Sequence, residues 1–189
     1  MNRVMKPTLI SILLAGTTVV AARTWPVQQG NVRIMCSMTV GGSFDTRTAA
    51  LSGTVATSTS GSPALDGNFT VDLRTLDTGI SLRNQHLRDH YLEVDKEPGY
   101  DKAILSDIVL QGLTGDAPQG KGSFTGSLTL HGVKKTVSGA VDVRKTGHGL
   151  EVKASFPLGL SDYNIAEPRY LGVGVKNTVQ VEVVFTVSQ

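Results

Sequence analysis

SFTGSLTLHGVKKTVSGAVDV, residues 123–143, contains two strands and the turn that joins them. Phe124, Gly126, Leu128 and Leu130 fall on one side of the first strand, with Ser123, Thr125, Ser127 and Thr129 on the other. After His131-Gly132 the alternation resumes with Val137, Gly139, Val141 and Val143 against Ser138 and Asp142. A period of two marks a half-buried strand with one wet face, as in an antiparallel sheet. A two-residue step that ends in glycine predicts a tight hairpin.

The same alternation recurs on both sides. Val32, Ile34, Cys36, Met38 and Val40 point one way. So do Leu65, Gly67, Phe69, Val71 and Leu73, then Leu150, Val152, Ala154 and Phe156, and finally Val179, Val181, Val183, Phe185 and Val187. Weaker strands are expected near 50–58 and 102–110. Gly- or Pro-containing pieces separate them at 41–42, 60–63, 112–122 and 146–149. Many short strands at regular spacing predict a sandwich or a barrel. Glycines inside the strands (Gly67, Gly126, Gly139) favour the sharp coiling of barrel corners. About eight antiparallel strands closing on themselves leave an interior wide enough for side chains or one small ligand. The apolar interior is expected to carry Phe69, Val71, Leu73, Phe124, Leu128, Leu130, Val152, Phe156, Val183 and Phe185, with the small inward residues leaning towards space inside.

One segment breaks the pattern. SLRNQHLRDHYLEVDKEP, residues 81–98, predicts a single α-helix over about 81–95, capped by Ser81 and stopped by Pro98. Leu87, Tyr91 and Val94 form its buried stripe at i, i+4, i+7. Arg83, His86 and His90 lie along a neighbouring face. The later stretch 159–176 is long for a strand connection, and loops of that length are often functional. Its Ile165, Tyr170, Leu171, Val173 and Val175 are expected to pack over something.

Met1–Pro7 carries Arg3 and Lys6, Thr8–Val20 is uncharged and mostly apolar, and Val20-Ala21-Ala22 supplies small residues. Together these predict a cleaved signal peptide over 1–22, a single mature domain over 23–189 and a periplasmic or secreted location. The apolar run is shorter than the roughly 20 residues of a membrane span, so no stable span is expected. A net charge of +2 and 5% aromatics give no support to nucleic-acid binding. The lone Cys36 excludes an internal disulfide and is expected as a buried apolar thiol.

Catalytic signatures are weak. Residues 115–121 match the start of a phosphate-binding loop, but Gly122 stands where a metal-binding hydroxyl is required and a strand follows in place of a helix. His86 and His90 have the spacing of a helical zinc pair without a convincing third ligand. No catalytic residue, metal or cofactor is expected. Arg83, Arg88, His131, Lys134 and Lys135 form a candidate anion-binding set at a barrel mouth.

Leu76-Asp77-Thr78-Gly79 with the helix block, the GSLTLHGVKK segment at 126–135, Asp162-Tyr163-Asn164-Ile165 and the Val-rich closing strand together resemble the YceI-like family of secreted bacterial proteins, over roughly 25–187. The resemblance implies a lipocalin-like antiparallel barrel with one packed helix. It also implies a long isoprenoid lipid in the interior, such as a quinone or an isoprenoid phosphate, for transport, storage or stress protection outside the cytoplasm. It carries polar rim roles onto Arg83, His86, Arg88, His131 and Lys134. Departures are Asn84 where many relatives have Asp, Glu97 where many have an aromatic, and Thr136 where proline is common. Two other readings compete. One is a non-catalytic interaction or stress-response module whose barrel is packed shut. The other is an enzyme on the same barrel using His86, His90 or His131.

Overall fold

The computed structural model describes residues 24–57, 65–113, 119–147, 149–170 and 172–188. Residues 1–22, expected as a signal peptide, the expected turn at 60–63, residues 114–118 of the expected 112–122 connection and the side chains of Tyr170 and Leu171 lie outside the described residues. The strands are β1 (Thr24–Ser37), β2 (Ser43–Thr48), β3 (Leu51–Thr57), β4 (Leu65–Asp66), β5 (Phe69–Asp72), β6 (Lys102–Gln111), β7 (Gly120–Leu130), β8 (Val133–Thr146), β9 (Gly149–Gly159), β10 (Arg169–Tyr170), β11 (Val173–Gly174) and β12 (Thr178–Ser188).

Each main strand pairs antiparallel with the one that follows it in the chain. β2 and β3 behave as one strand interrupted at Ala49-Ala50, and β4 and β5 as one interrupted at Gly67-Asn68. β12 returns to β1 over Val27–Met35, while Thr24–Pro26 of β1 meets Thr54–Ala56 of β3. The sheet therefore closes as an up-and-down barrel of eight strands, which leaves the main sheet without a free edge. The expected barrel is observed, and its first strand starts at Thr24, earlier than the alternation alone indicates.

His131 and Gly132 sit at φ 49° and 74° between β7 and β8. Two positive φ values in a two-residue hairpin are the twist-matched type I′ arrangement. At Gly139 the strand glycine does not open space. An added Cβ would run into the Ser155 carbonyl oxygen and lie 2.7 Å from Phe156 Cβ and 3.0 Å from Phe124 Cε1. Its role is to let the aromatic pair Phe124–Phe156, 5.7 Å apart and edge-on, close against the wall.

The helix is shorter than its pattern suggests. α1 spans Ser81–His86 and continues through a single wider turn over Leu87–Tyr91. Its N-cap is Ile80, which makes no side-chain cap, so Ser81 is the first helical residue and not the cap. Pro98 does not stop it, because the chain has already left the helix at Glu93, which adopts φ 46°. The Leu92 N–H reaches back to the Leu87 carbonyl, a five-residue step. That step turns Leu87, Tyr91 and Leu92 towards the barrel together, where a regular helix would carry Leu92 round to another face.

The core divides in two. At the end away from the helix, Val55, Leu113, Val143, Leu150 and Val187 are buried and fill the interior. At the helix end the barrel is hollow.

Candidate functional site

The hollow end is a cavity of about 880 Å³. Its walls alternate out of the strands: Phe69 and Val71 of β5, Phe124, Leu128 and Leu130 of β7, Val152 and Phe156 of β9, and Val183 and Phe185 of β12, with Leu73 just beyond β5. All ten interior positions named from the sequence line this one space. Phe69 and Phe185 meet across it with ring centroids 4.9 Å apart.

Six residues both line the cavity and are exposed to solvent: Ile80, Leu82, His86, His90, Arg169 and Val173. They mark its mouth, between the helix and the small β10–β11 hairpin. The helix splits its work between two rows. Leu82, His86 and His90 recur every fourth residue along the rim, and Arg83, Leu87 and Tyr91 do the same one step further in. The hairpin side is held by Met38 bridging Val175 and by Thr39, whose N–H donates to the Gly174 carbonyl at 2.8 Å while its Oγ1 accepts from the Gly174 N–H at 3.0 Å. From the long loop, Ile165, Val173 and Val175 reach the cavity.

The polarity of the lining is one-sided. Among the described residues it includes two arginines and two histidines but no carboxylate and no lysine. Arg169 is paired with Glu167 at 2.7 Å. Arg83 has no such pairing among the described residues; its guanidinium lies 4.1 Å over the Phe44 ring centroid. The rings of His86 and His90 stand 5.4 Å apart. Among the described residues no group of three or more His, Cys, Asp or Glu is placed to hold a metal ion. Cys36 lines the cavity, and burial pushes its thiol up to about 11, which leaves it protonated and a poor nucleophile at neutral pH.

The structure separates the five residues expected at a polar rim. Arg83 and His86 are at the mouth. Arg88, on the same helix, does not line the cavity. Lys134 is on the outer face of β8, with its ammonium 3.1 Å from Asp107. His131 is buried where segments 93–101 and 160–163 meet the β7–β8 hairpin, which together cap this end of the barrel. Its Nδ1 donates to the Tyr163 carbonyl at 3.0 Å, its Nε2 lies 3.2 Å from Glu93 Oε2, and its ring stacks on Tyr100 at 4.2 Å. It ties both covering loops, 93–101 and 160–163, to the β7–β8 hairpin. Phe44, Ile80, Leu82 and Arg169 are cavity residues that the sequence reading does not pick out. Phe44 sits in SFDTRT, where polar residues hide the alternation, and Ile80 and Leu82 flank a helix start that predicts nothing about a mouth.

Asn84 organises the approach to the helix. Its Oδ1 accepts from the Thr78 N–H (2.8 Å) and Oγ1 (2.7 Å), and its Nδ2 donates to Asp77 Oδ1 at 2.7 Å. The Asn84 amide and the Gly79 N–H together hold the Asp77 carboxyl below its usual range.

A family model described as YceI-like domain matches residues 18–187. Among solved structures, a polyisoprenoid binding domain from Saccharophagus degradans implicated in plant cell wall breakdown is 19% identical with a TM-score of 0.66, covering 87% of this chain and 97% of that one. BcnA of Burkholderia cenocepacia is 18% identical with a TM-score of 0.64, covering 84% and 96%. A Campylobacter jejuni YceI protein is 13% identical with a TM-score of 0.51, covering 97% and 94%. No curated protein matches the chain.

Proposed function

The chain belongs to the YceI-like family, and from that premise we propose that its barrel binds a long apolar lipid, a polyisoprenoid, with the tail in the 880 Å³ cavity and the head at the mouth. The observation that carries this reading is the lining itself: ten residues, nine on strands and Leu73 just beyond β5, form one continuous apolar wall, and the basic side chains at its opening are guanidinium or imidazole with no carboxylate among the described lining residues. The name of the Saccharophagus degradans relative points the same way. Each buried CH₂ contributes about 0.8 kcal/mol, so a chain of several isoprene units binds well with few polar contacts. Ordering the flexible tail offsets part of that.

Binding without turnover is the reading the site supports. The Cys36 thiol is held protonated, and both ring nitrogens of His131 already face protein partners. We place this activity outside the cytoplasm, on the strength of the charged, apolar and small-residue order of residues 1–22. There a closed apolar interior shields a lipid from water during transport, storage or stress.

The test is mass spectrometry of an organic extract of the mature protein, purified after export from a bacterial host. A stoichiometric long-chain isoprenoid is the expected result. A lipid-free extract from folded protein overturns the reading. The mass of the exported chain reports the cleavage site in the same experiment.

A further inference from the structure

The rim of the cavity carries more exposed apolar surface than a closed binding protein requires. Seven large apolar side chains are exposed among the described residues, and four belong to the helix end: Val40 at 69%, Leu82 at 61%, Ile80 at 49% and Val173 at 38%. They come from three separate loops or turns. Val40 is on the β1–β2 turn, whose Thr39 is bonded to Gly174. Val173 is beside it on the β10–β11 hairpin, and Ile80 and Leu82 face them from the start of the helix. Single exposed apolar residues need no explanation, but a cluster around an opening does.

The charge around this cluster favours one partner. Arg83 and Arg88 have no carboxylate partner among the described residues, and His86 and His90 line the rim. Against them stand Asp89 on the helix, Asp77 before it, which accepts from the Gly79 N–H and the Asn84 amide, and Glu167, which is already paired with Arg169. Apolar side chains beside guanidinium groups that have no carboxylate partner are the composition of a surface that rests in the headgroup layer of an anionic bilayer. The rim is also continuous with the cavity wall, because Ile80, Leu82 and Val173 belong to both.

We infer that the mouth docks on an anionic lipid bilayer, with Val40, Ile80, Leu82 and Val173 entering the headgroup region and the arginines facing lipid phosphates. This rests on the reading of the cavity as a lipid site, and it gives the lipid a route: the tail passes from bilayer to barrel across apolar side chains and meets no bulk water.

The experiment is vesicle flotation with the purified mature protein and liposomes of phosphatidylethanolamine and phosphatidylglycerol, followed by sedimentation analysis of the protein alone. The wild type is expected to float with these vesicles, less so as salt is raised. Leu82→Asp combined with Val173→Asp lowers the bound fraction at least tenfold. Val109→Asp, at an equally exposed apolar position on β6, leaves it unchanged. Circular dichroism of each variant establishes that the fold is kept; should the double variant unfold, Leu82→Ser alone is expected to give a several-fold loss. Absence of flotation by the folded wild type overturns the inference, as does an equal loss in the Val109 variant. A concentration-dependent dimer that Leu82→Asp dissociates, with no vesicle binding, gives the face to a second copy and also overturns it. The lipid content of the same preparations separates the two claims. Lipid recovered without flotation sinks docking alone, and flotation with an empty extract sinks the cavity reading alone.

Discussion

The guanidinium of Arg83 lies 4.1 Å above the ring centroid of Phe44, so a cavity-wall arginine that has no carboxylate partner among the described residues is held by an aromatic face. A ring orients the cation without neutralising it. The Arg83 charge therefore remains available to an anionic or strongly polar head group.

Arg83→Ala is expected to weaken binding of an isoprenoid with an anionic head roughly tenfold, the equivalent of about 1.4 kcal/mol. Arg83→Lys restores only part of that, because an ammonium lacks the planar fork that stacks and pairs at once. Titration with a fluorescent isoprenoid phosphate measures both. Equal affinity in all three proteins removes Arg83 from the site.

Filling the cavity tests the interior directly. Ala154 is half-buried, lines the cavity, and lies opposite Val183 and Val141 on its neighbouring strands. Overpacking a dense core costs about 1–3 kcal/mol, but here the added ring of Ala154→Phe has empty space to enter. The expected outcome is a folded protein with an unchanged melting temperature that carries less than half the lipid of the wild type in an organic extract. Full lipid content in this variant places the tail elsewhere.

The barrel is legible in the sequence because its strands obey a period of two that survives the conversion to inward and outward faces. All ten inward residues named from that period share one cavity. What the pattern does not encode is the closure of the cap. His131 and Lys134 sit three residues apart beside a hairpin, and both look like rim cations in sequence. The turn points the first into a buried pocket of acceptors and the second outward to Asp107. Helical periodicity likewise says nothing about the widened turn at Leu87–Tyr91. A hydrogen-bond shift of one residue changes which side chains face inward, and no composition signal marks it.

Gly139 looks in sequence like room inside the barrel, but the structure makes it a contact. Gly139→Ala sets a methyl group against the Ser155 carbonyl and Phe156 Cβ. Backbone cannot move as a flexible side chain does. A loss of about 2 kcal/mol or more is expected in urea unfolding. Gly147→Ala, whose added Cβ meets nothing within 4 Å, is the control with little effect.

His131 is 6% exposed and holds two loops at once. His131→Ala removes the Nδ1 donor to the Tyr163 carbonyl and the stack on Tyr100. The expected cost is about 2–4 kcal/mol, seen as a lower melting temperature with lipid released at a lower temperature still. A melting temperature within one degree of wild type, on the order of a few tenths of a kcal/mol, would show that the cap does not depend on this ring.

Asn84 gives a prediction whose sign depends on pH. The amide donates to Asp77, and this contact helps to keep the Asp77 carboxyl ionised below its usual range. A group whose folded pKa is lowered contributes stability that is present above its unfolded value and is lost as pH falls through the folded one. Asn84→Asp keeps the acceptor that Thr78 uses. It replaces the donor towards Asp77 with a second carboxylate, which reverses the effect: the two facing carboxylates of the variant bind a proton more readily in the folded protein than when unfolded. The variant is therefore expected to melt below the wild type at pH 7, and the gap closes as pH falls through the carboxylate range and the pair takes up a proton. Thermal melts of the two proteins between pH 7 and pH 4 measure this. A gap that stays constant with pH would mean that Asp77 and the side chain at position 84 do not interact through charge, and that the lost amide bond alone accounts for the difference.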